Sequence, residues 1–420
     1  MSQVYRNALN KKIVNNDDTS VIFYDLSFLE ERVNELVRMF PQTTLHAIAV
    51  KSNPLKKILE FLNSLNAGAE VASLPELYLT EKSSFDPDKI VFDSPVKTMN
   101  ELEYAMKLGV HINADSFTEL KRIAEIMEEK KTKSSFGIRI NPQVGTGTIL
   151  STSVAGEYSK FGVPIKEYRK ELIKSFLEYD WLRGVHLHIG SQGCPVDLLV
   201  KSVKAVYDFV NETNDSLRRK GKKRQIDIFD IGGGLPVSYK QDEKGVTIEE
   251  YRKKLFDNCE ELFSDKFKLI TEFGRYVHAN AGWTASRVEY VKESSGVKTA
   301  MIHTGADLFL RKCYQQDEWF HEISVLDSDG NLKNGKDTTP YIIAGPLCFA
   351  GDILSKEMIL PEVKEGDYVL IHDTGAYTLS MWSRYNSRQV PKVVGYYDEG
   401  ERFEILKERE SLDDVLNFWE

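Results

Sequence analysis

Lys51 closes a short apolar run, Leu45-His46-Ala47-Ile48-Ala49-Val50, just before the chain breaks at Ser52-Asn53-Pro54. The run is long enough for one buried strand and too short for a helix. An amine there is costly to keep as an ammonium, so burial lowers its pKa and makes a nucleophile that can form an imine with an aldehyde. Taken alone, it also reads as a strand-end lysine reaching solvent. Gly232-Gly233-Gly234 follows the run Ile226–Ile231. Three glycines let backbone amides approach a phosphate closely, or simply make a tight turn. Thr271-Glu272-Phe273-Gly274-Arg275 offers a carboxylate and a guanidinium, which could equally be a surface ion pair. In His186-Leu187-His188 strand alternation points both rings to one side, against a planar ligand or into a core. No third ligand at sensible spacing supports a metal, so none is expected.

The elements that must position these residues alternate regularly. Short apolar runs at Leu45–Val50, Ala69–Ala72, Lys89–Phe92, Val110–Ala114, Phe136–Ile140, Gly184–Ile189, Ile226–Ile231 and Phe267–Thr271 are separated by amphipathic, charge-rich segments. Ser73 and Ser116 each stand three residues before a glutamate, the spacing of a helix start. Eight strand-then-helix units predict an α/β chain with a closed (β/α)8 barrel rather than an open sheet, and put Lys51 at the mouth where the strands' carboxyl ends meet. After about Asn280 the rhythm becomes β-rich, with strands predicted at Thr284–Val291, Val297–His303, Tyr341–Ala344, Tyr368–Asp373, Gln389–Tyr396 and Arg402–Leu406. The expected division is residues 1–35 packing with the β domain through an early strand at Ser20–Tyr24, 36–280 as the barrel, and 281–420 as the β domain. The polar stretch Gly145 to Ser159 is too long for a minimal connection and reads as a functional loop at the mouth.

With 420 residues and a net charge of -9, the chain is not expected to bind nucleic acid or an anionic membrane. Its four cysteines are scattered, without a paired motif, which favours a reducing compartment, and the expected location is the cytoplasm. A lysine, a phosphate cradle, an acid and a flat imidazole around one mouth are what pyridoxal 5'-phosphate requires: an amine for its aldehyde, amides for its phosphate and an acid to keep its ring nitrogen protonated.

In order along the chain, these motifs resemble those of the fold-type III pyridoxal-phosphate decarboxylases, the group of the diaminopimelate, ornithine and arginine enzymes. Ala49-Val50-Lys51-Ser52-Asn53 resembles the cofactor-lysine motif, and His186-Leu187-His188-Ile189-Gly190-Ser191-Gln192 the segment with a ring-stacking histidine, His188, and a phosphate contact, Ser191. Asp230-Ile231-Gly232-Gly233-Gly234 is similar to the phosphate loop, and Glu272-Phe273-Gly274-Arg275 to the motif whose acid meets the pyridine nitrogen, with Phe273 in place of the usual proline. Ser159-Lys160-Phe161-Gly162 is close to a diaminopimelate decarboxylase segment. Gly345-Pro346-Leu347-Cys348 resembles the motif whose cysteine enters the partner's site, and Gly375-Ala376-Tyr377 the one whose tyrosine touches the phosphate. The resemblance implies an alanine-racemase-like barrel with a C-terminal β-rich domain, an obligate homodimer, and catalysis by Lys51, Glu272, His188 and Cys348, the last as proton donor.

For the substrate, Arg311 and Tyr314 look similar to the pair that binds the distal carboxylate in diaminopimelate decarboxylases, with one residue less between them; Arg275 and Tyr377 join them as candidate substrate contacts. Phe349 departs from the pattern, because an acid that meets the distal amine normally follows the cysteine. With Trp382 it points to an altered distal pocket and to a modified or distal-carboxylate-bearing relative of diaminopimelate. The rival readings are an ornithine/lysine-type basic amino acid decarboxylase, an amino-acid racemase and a catalytically inactive regulatory homologue. The Gly-Pro-x-Cys motif speaks against the racemase, and retention of Lys51 and Cys348 against the inactive homologue.

Overall fold

The computed structural model describes residues 1–222, 225–240, 242–243 and 245–420. It divides into two compact units, one of residues 32–237 and 245–277, the other of residues 1–31, 238–244 and 278–420. The first strand of the chain, β1 (Ser20–Asp25), belongs to the second unit.

The first unit is a closed parallel barrel. Its staves are β2 (Leu45–Ala49), β3 (Gly68–Val71), β4 (Ile90–Phe92), β5 (His111–Ala114) and β6 (Phe136–Asn141), then, after a two-residue strand β7 (Val163–Pro164) beside β6, β8 (Leu182–His186), β9 (Ile228–Asp230) and β10 (Lys268–Thr271). Pairing runs β5-β4-β3-β2-β10-β9-β8-β6, and β5 closes on β6. All eight apolar runs read from the sequence form these strands.

Two features of the barrel follow from local chemistry. Ser73 and Ser116 cap the helices Leu74–Lys82 and Phe117–Glu129 by accepting the amides of Glu76 and Glu119 at 3.3 and 3.2 Å. The glutamate carboxylates reach one residue further back than a capping box requires, to the amides of Ala72 and Asp115 at 2.7 and 3.0 Å. The interior is also divided. Leu45, Ala47, Val91 and Ile270 form a small apolar cluster, whereas Glu70, Asp93, Asn113, Arg139, His186, Asp230 and Glu272 are buried at or near the strands' carboxyl ends. Barrels usually fill this space with branched aliphatic side chains, so a buried charged layer marks the functional end.

The second unit holds β1 together with β11 (Gly282–Ser294), β12 (Val297–Ile302), β13 (Ile323–Leu326), β14 (Thr338–Ala344), β15 (Ile353–Pro361), β16 (Tyr368–Ile371), β17 (Lys392–Tyr397) and β18 (Arg402–Lys407). β1 lies between β11, antiparallel, and β17, parallel. Its core stacks Phe23 on Trp283 with ring centroids 4.2 Å apart, and the Trp283 indole donates to the Tyr396 hydroxyl at 3.2 Å. The sequence reading missed β13 and β15. β13 is only four residues long, and β15 carries Ser355-Lys356-Glu357 across its middle, exposed because it ends the sheet order beside β14. The helix Ser2–Asn10 was also missed, since Val4, Tyr5 and Ala8 are too few to announce an amphipathic face. No helix among the described residues is long and apolar enough to cross a membrane.

Candidate active site

β2 ends at Ala49, and Val50–Ser52 makes one turn of 3-10 helix that carries Lys51 off the strand end. Gly274, just past β10, packs against that turn; a Cβ on it would come within 2.9 Å of the Ala49 side chain and 2.8 Å of the Ser52 hydroxyl. Lys51 is neither in open solvent nor desolvated alone. Its ammonium pairs with Glu70, the third residue of β3, whose side chain is fully buried while that of Lys51 is 37% exposed. Burial lifts the Glu70 carboxyl to about 8 against the pull of the Lys51 ammonium.

The glycine loop after β9 is shaped by what surrounds it. Gly232 and Gly234 adopt φ of +65° and +101°, which favour glycine. A Cβ at Gly233 would lie 2.3 Å from the Glu272 carbonyl oxygen, and one at Gly234 2.3 Å from that of Gly190. The Gly233 amide donates to His188 Nδ1 at 3.1 Å, so the proton of the neutral ring sits on Nε2. Burial drives the His188 pKa down to about 3, leaving an uncharged flat ring beside the loop. Ser191, three residues on, accepts from Arg275 Nε at 3.0 Å.

Glu272 is buried, and its Oε1 has no hydrogen-bond partner among the described residues. Burial alone would raise its pKa, but the neighbouring His186 charge outweighs this and holds Glu272 below its usual value. The stretch Gly145 to Ser159 folds onto the His188 segment: Thr148 N donates to Gly193 O at 2.9 Å, Val154 N to Ile189 O at 2.9 Å and Ser191 N to Thr152 O at 3.2 Å. Phe161 of Ser159-Lys160-Phe161-Gly162 lies over the Arg139 guanidinium at 4.5 Å.

In the β unit, Cys348 is exposed, unlike the three other free cysteines. A small buried apolar residue is therefore not its role. Asn386 Oδ1 accepts its amide at 2.8 Å, and the Tyr385 hydroxyl donates to its carbonyl at 3.0 Å. Arg311 is held between two rings, with its guanidinium 4.9 Å from both Trp319 and Tyr377. Tyr377 itself is in the left-handed region at φ +57°, a strained conformation for a bulky residue. Tyr314 and Phe349 stack with centroids 5.0 Å apart and planes 17° from parallel. The Nε1 of Trp382 is buried without a hydrogen-bond partner among the described residues.

Glu70, Asp93 and Arg139 escaped the sequence reading. Each is a charge inside or directly after a run read as a buried strand, and that misfit was the available signal. The chain's own residues fit pyridoxal phosphate: a lysine on the turn after β2, a loop where side chains are sterically excluded, an uncharged imidazole, and a buried carboxylate, Glu272.

Residues 26–279 match the family described as pyridoxal-dependent decarboxylase, pyridoxal binding domain. The chain is 30% identical over 408 residues to a diaminopimelate decarboxylase of Aquifex aeolicus, covering 97% of this chain and 93% of that one. It superposes on the crystal structure of diaminopimelate decarboxylase from Helicobacter pylori complexed with L-lysine with a TM-score of 0.84 at 28% identity, covering 98% and 99% of the two chains. A lysine/ornithine decarboxylase from Vibrio vulnificus shares the fold, with a TM-score of 0.77 at 18% identity over 92% and 97% of the two chains. The lysine turn, glycine loop and buried acid thus sit in a chain that belongs to the pyridoxal-dependent decarboxylase family, an enzyme of amino acids with pyridoxal 5'-phosphate as its cofactor.

Proposed function

We propose that this enzyme removes the α-carboxylate from a substrate of diaminopimelate type, a modified or distal-carboxylate-bearing relative, as a homodimer in the cytoplasm. Pyridoxal phosphate, when bound, supplies the aldehyde that links to the substrate amine and a ring that takes up the electron pair left by departing carbon dioxide. Lys51 Nζ would hold the cofactor between turnovers, with the buried Glu70 carboxyl beside it. The Gly232 to Gly234 loop and the Ser191 hydroxyl would hold the phosphate, His188 would lie against the ring, and Glu272 would keep the proton on the ring nitrogen. Gly274 lets this segment close on the lysine turn, and Arg275 orients Ser191. Cys348, exposed on its own chain, serves the partner subunit's site and delivers a proton from Sγ to the α-carbon.

The observation that carries the substrate reading is the Tyr314–Phe349 stack beside an arginine clasped by Trp319 and Tyr377. A guanidinium is the cation whose planar fork matches a carboxylate, whereas a phenylalanine at 349 gives a distal ammonium no counter-charge. Carbon dioxide release across a panel of amino acids tests this. Turnover is expected to favour substrates with a distal carboxylate and a masked or missing distal amine; efficient turnover of meso-diaminopimelate would show that Phe349 does not exclude the amine.

A further inference from the structure

His186 is the last residue of β8 and is wholly buried. Its Nδ1 lies 3.3 Å from Asp93 Oδ1 and its Nε2 3.6 Å from Glu272 Oε1, and the far oxygen of Asp93 lies 3.3 Å from Arg139 Nη1. Neither ring nitrogen has a hydrogen bond among the described residues, nor do the two facing oxygens, Asp93 Oδ1 and Glu272 Oε1. The contact is therefore charge against charge. A neutral imidazole has one N–H and would turn a lone pair on one of the two carboxylates; only the imidazolium serves both. One ligand atom from each of Asp93, His186 and Glu272 lies within 4.8 Å of the others, yet His186 turns a different ring nitrogen to each carboxylate and so bridges them.

We infer that His186, bridged as an imidazolium between Asp93 and Glu272, is a positioning residue that fixes the charge and orientation of Glu272 toward the cofactor's ring nitrogen. This rests on the proposed role of Glu272. The groups facing His186 come from four other staves: Asp93 after β4, His111 from β5, Asp230 from β9 and Glu272 after β10, with Arg139 of β6 behind Asp93. Burial opposes a charge on the ring, but Asp93, Glu272 and Asp230 outweigh it and raise the His186 pKa to about 10. His111 stays neutral, lowered by burial to about 4. Burial and the Glu272 charge push Asp230 well above the usual carboxylate range, against the pull of His186. Asp93 is drawn well below its ordinary value, since His186 and Arg139 overcome its burial. The resulting row, Arg139, Asp93, His186, Glu272, alternates in sign and ends on Glu272.

The test uses the holoenzyme with ring-nitrogen-labelled histidine and, separately, with ring-nitrogen-labelled pyridoxal phosphate, both read by NMR. His186 is expected to show two protonated ring nitrogens from pH 6 to 9 and to lose one near pH 10; a neutral ring at pH 7 overturns the inference without any substitution. Glu272→Gln is expected to remove the proton from the cofactor nitrogen, and its persistence there refutes the role of Glu272 itself. If Glu272→Gln removes that proton, His186→Leu and His186→Gln must do so too, with kcat lowered about 10²-fold and KM moved far less. A cofactor nitrogen that stays protonated in folded His186 variants leaves the Glu272 reading intact and overturns this one.

Discussion

Glu70 meets the Lys51 ammonium from inside the barrel wall, so the amine is held by a carboxyl group that is itself fully buried. The pair explains how a lysine at a strand end can be aimed without being stranded as an isolated charge, and it ties the pH response of the amine to an acid on the next stave.

Glu70→Gln is expected to change the pH dependence of stability. A carboxyl whose pKa is raised in the folded chain stabilises fully below its ordinary value of 4.5, and this contribution fades as pH rises through about 8. Urea unfolding of the cofactor-free protein from pH 4.5 to 9 should therefore fall less steeply with pH in the variant. At neutral pH the lost partner should cost less than the about 3–5 kcal/mol of a fully buried pair, because Lys51 is more than a third exposed. Parallel curves for the two proteins would sink the assignment.

Gly233→Ala should weaken cofactor binding beyond its effect on folding. Its new methyl carbon would sit 2.3 Å from a backbone oxygen that cannot rotate away, an overpacking worth about 1–3 kcal/mol. Gly335→Ala, whose Cβ would meet nothing closer than 3.6 Å, is the control. Titration with pyridoxal phosphate reads both, and equal affinities would remove the loop from the phosphate site.

His188→Phe should keep much of the affinity for cofactor and His188→Ala should lose about 0.5–1.5 kcal/mol, since an uncharged ring face is what the site uses. With a folded-state pKa of about 3 against 6.5, the imidazole subtracts stability as pH falls through that interval, where the unfolded chain takes up the proton first. The Phe variant should be less sensitive to acid. A cofactor affinity in the native enzyme that steps between pH 6 and 7, absent in His188→Phe, would show that the ring is charged there.

Mixing Lys51→Ala with Cys348→Ser should restore activity that neither has alone, to roughly a quarter of the native value if subunits exchange freely and each site draws on both chains. Activity that stays at the level of the separate variants after confirmed exchange would place the cysteine in its own subunit's chemistry.

The barrel was legible because every stave is a short apolar run closed by a turn, and burial on both faces leaves no alternation to confuse it. Lys51, Gly232 to Gly234 and Glu272 were legible because each stands where such a run ends. Glu70 and Asp93 were not, since their value depends on neighbours on other staves around the ring, a relationship absent from local spacing. In the β unit, β15 escaped because an edge strand keeps its charges in water, and the Tyr314–Phe349 stack because two residues on different segments announce no contact.

The placement of β1 sets an order on synthesis. Val21 to Asp25 pair with Lys392 to Tyr396, so an early ribosome product leaves the tunnel with a strand whose parallel neighbour has yet to be translated. The barrel segment in between has all its own staves well before that point. The nascent enzyme should therefore acquire its cofactor-binding half first, with the apolar face of Val21 and Phe23 awaiting about the last thirty residues, the stretch over which chaperone shielding would matter most.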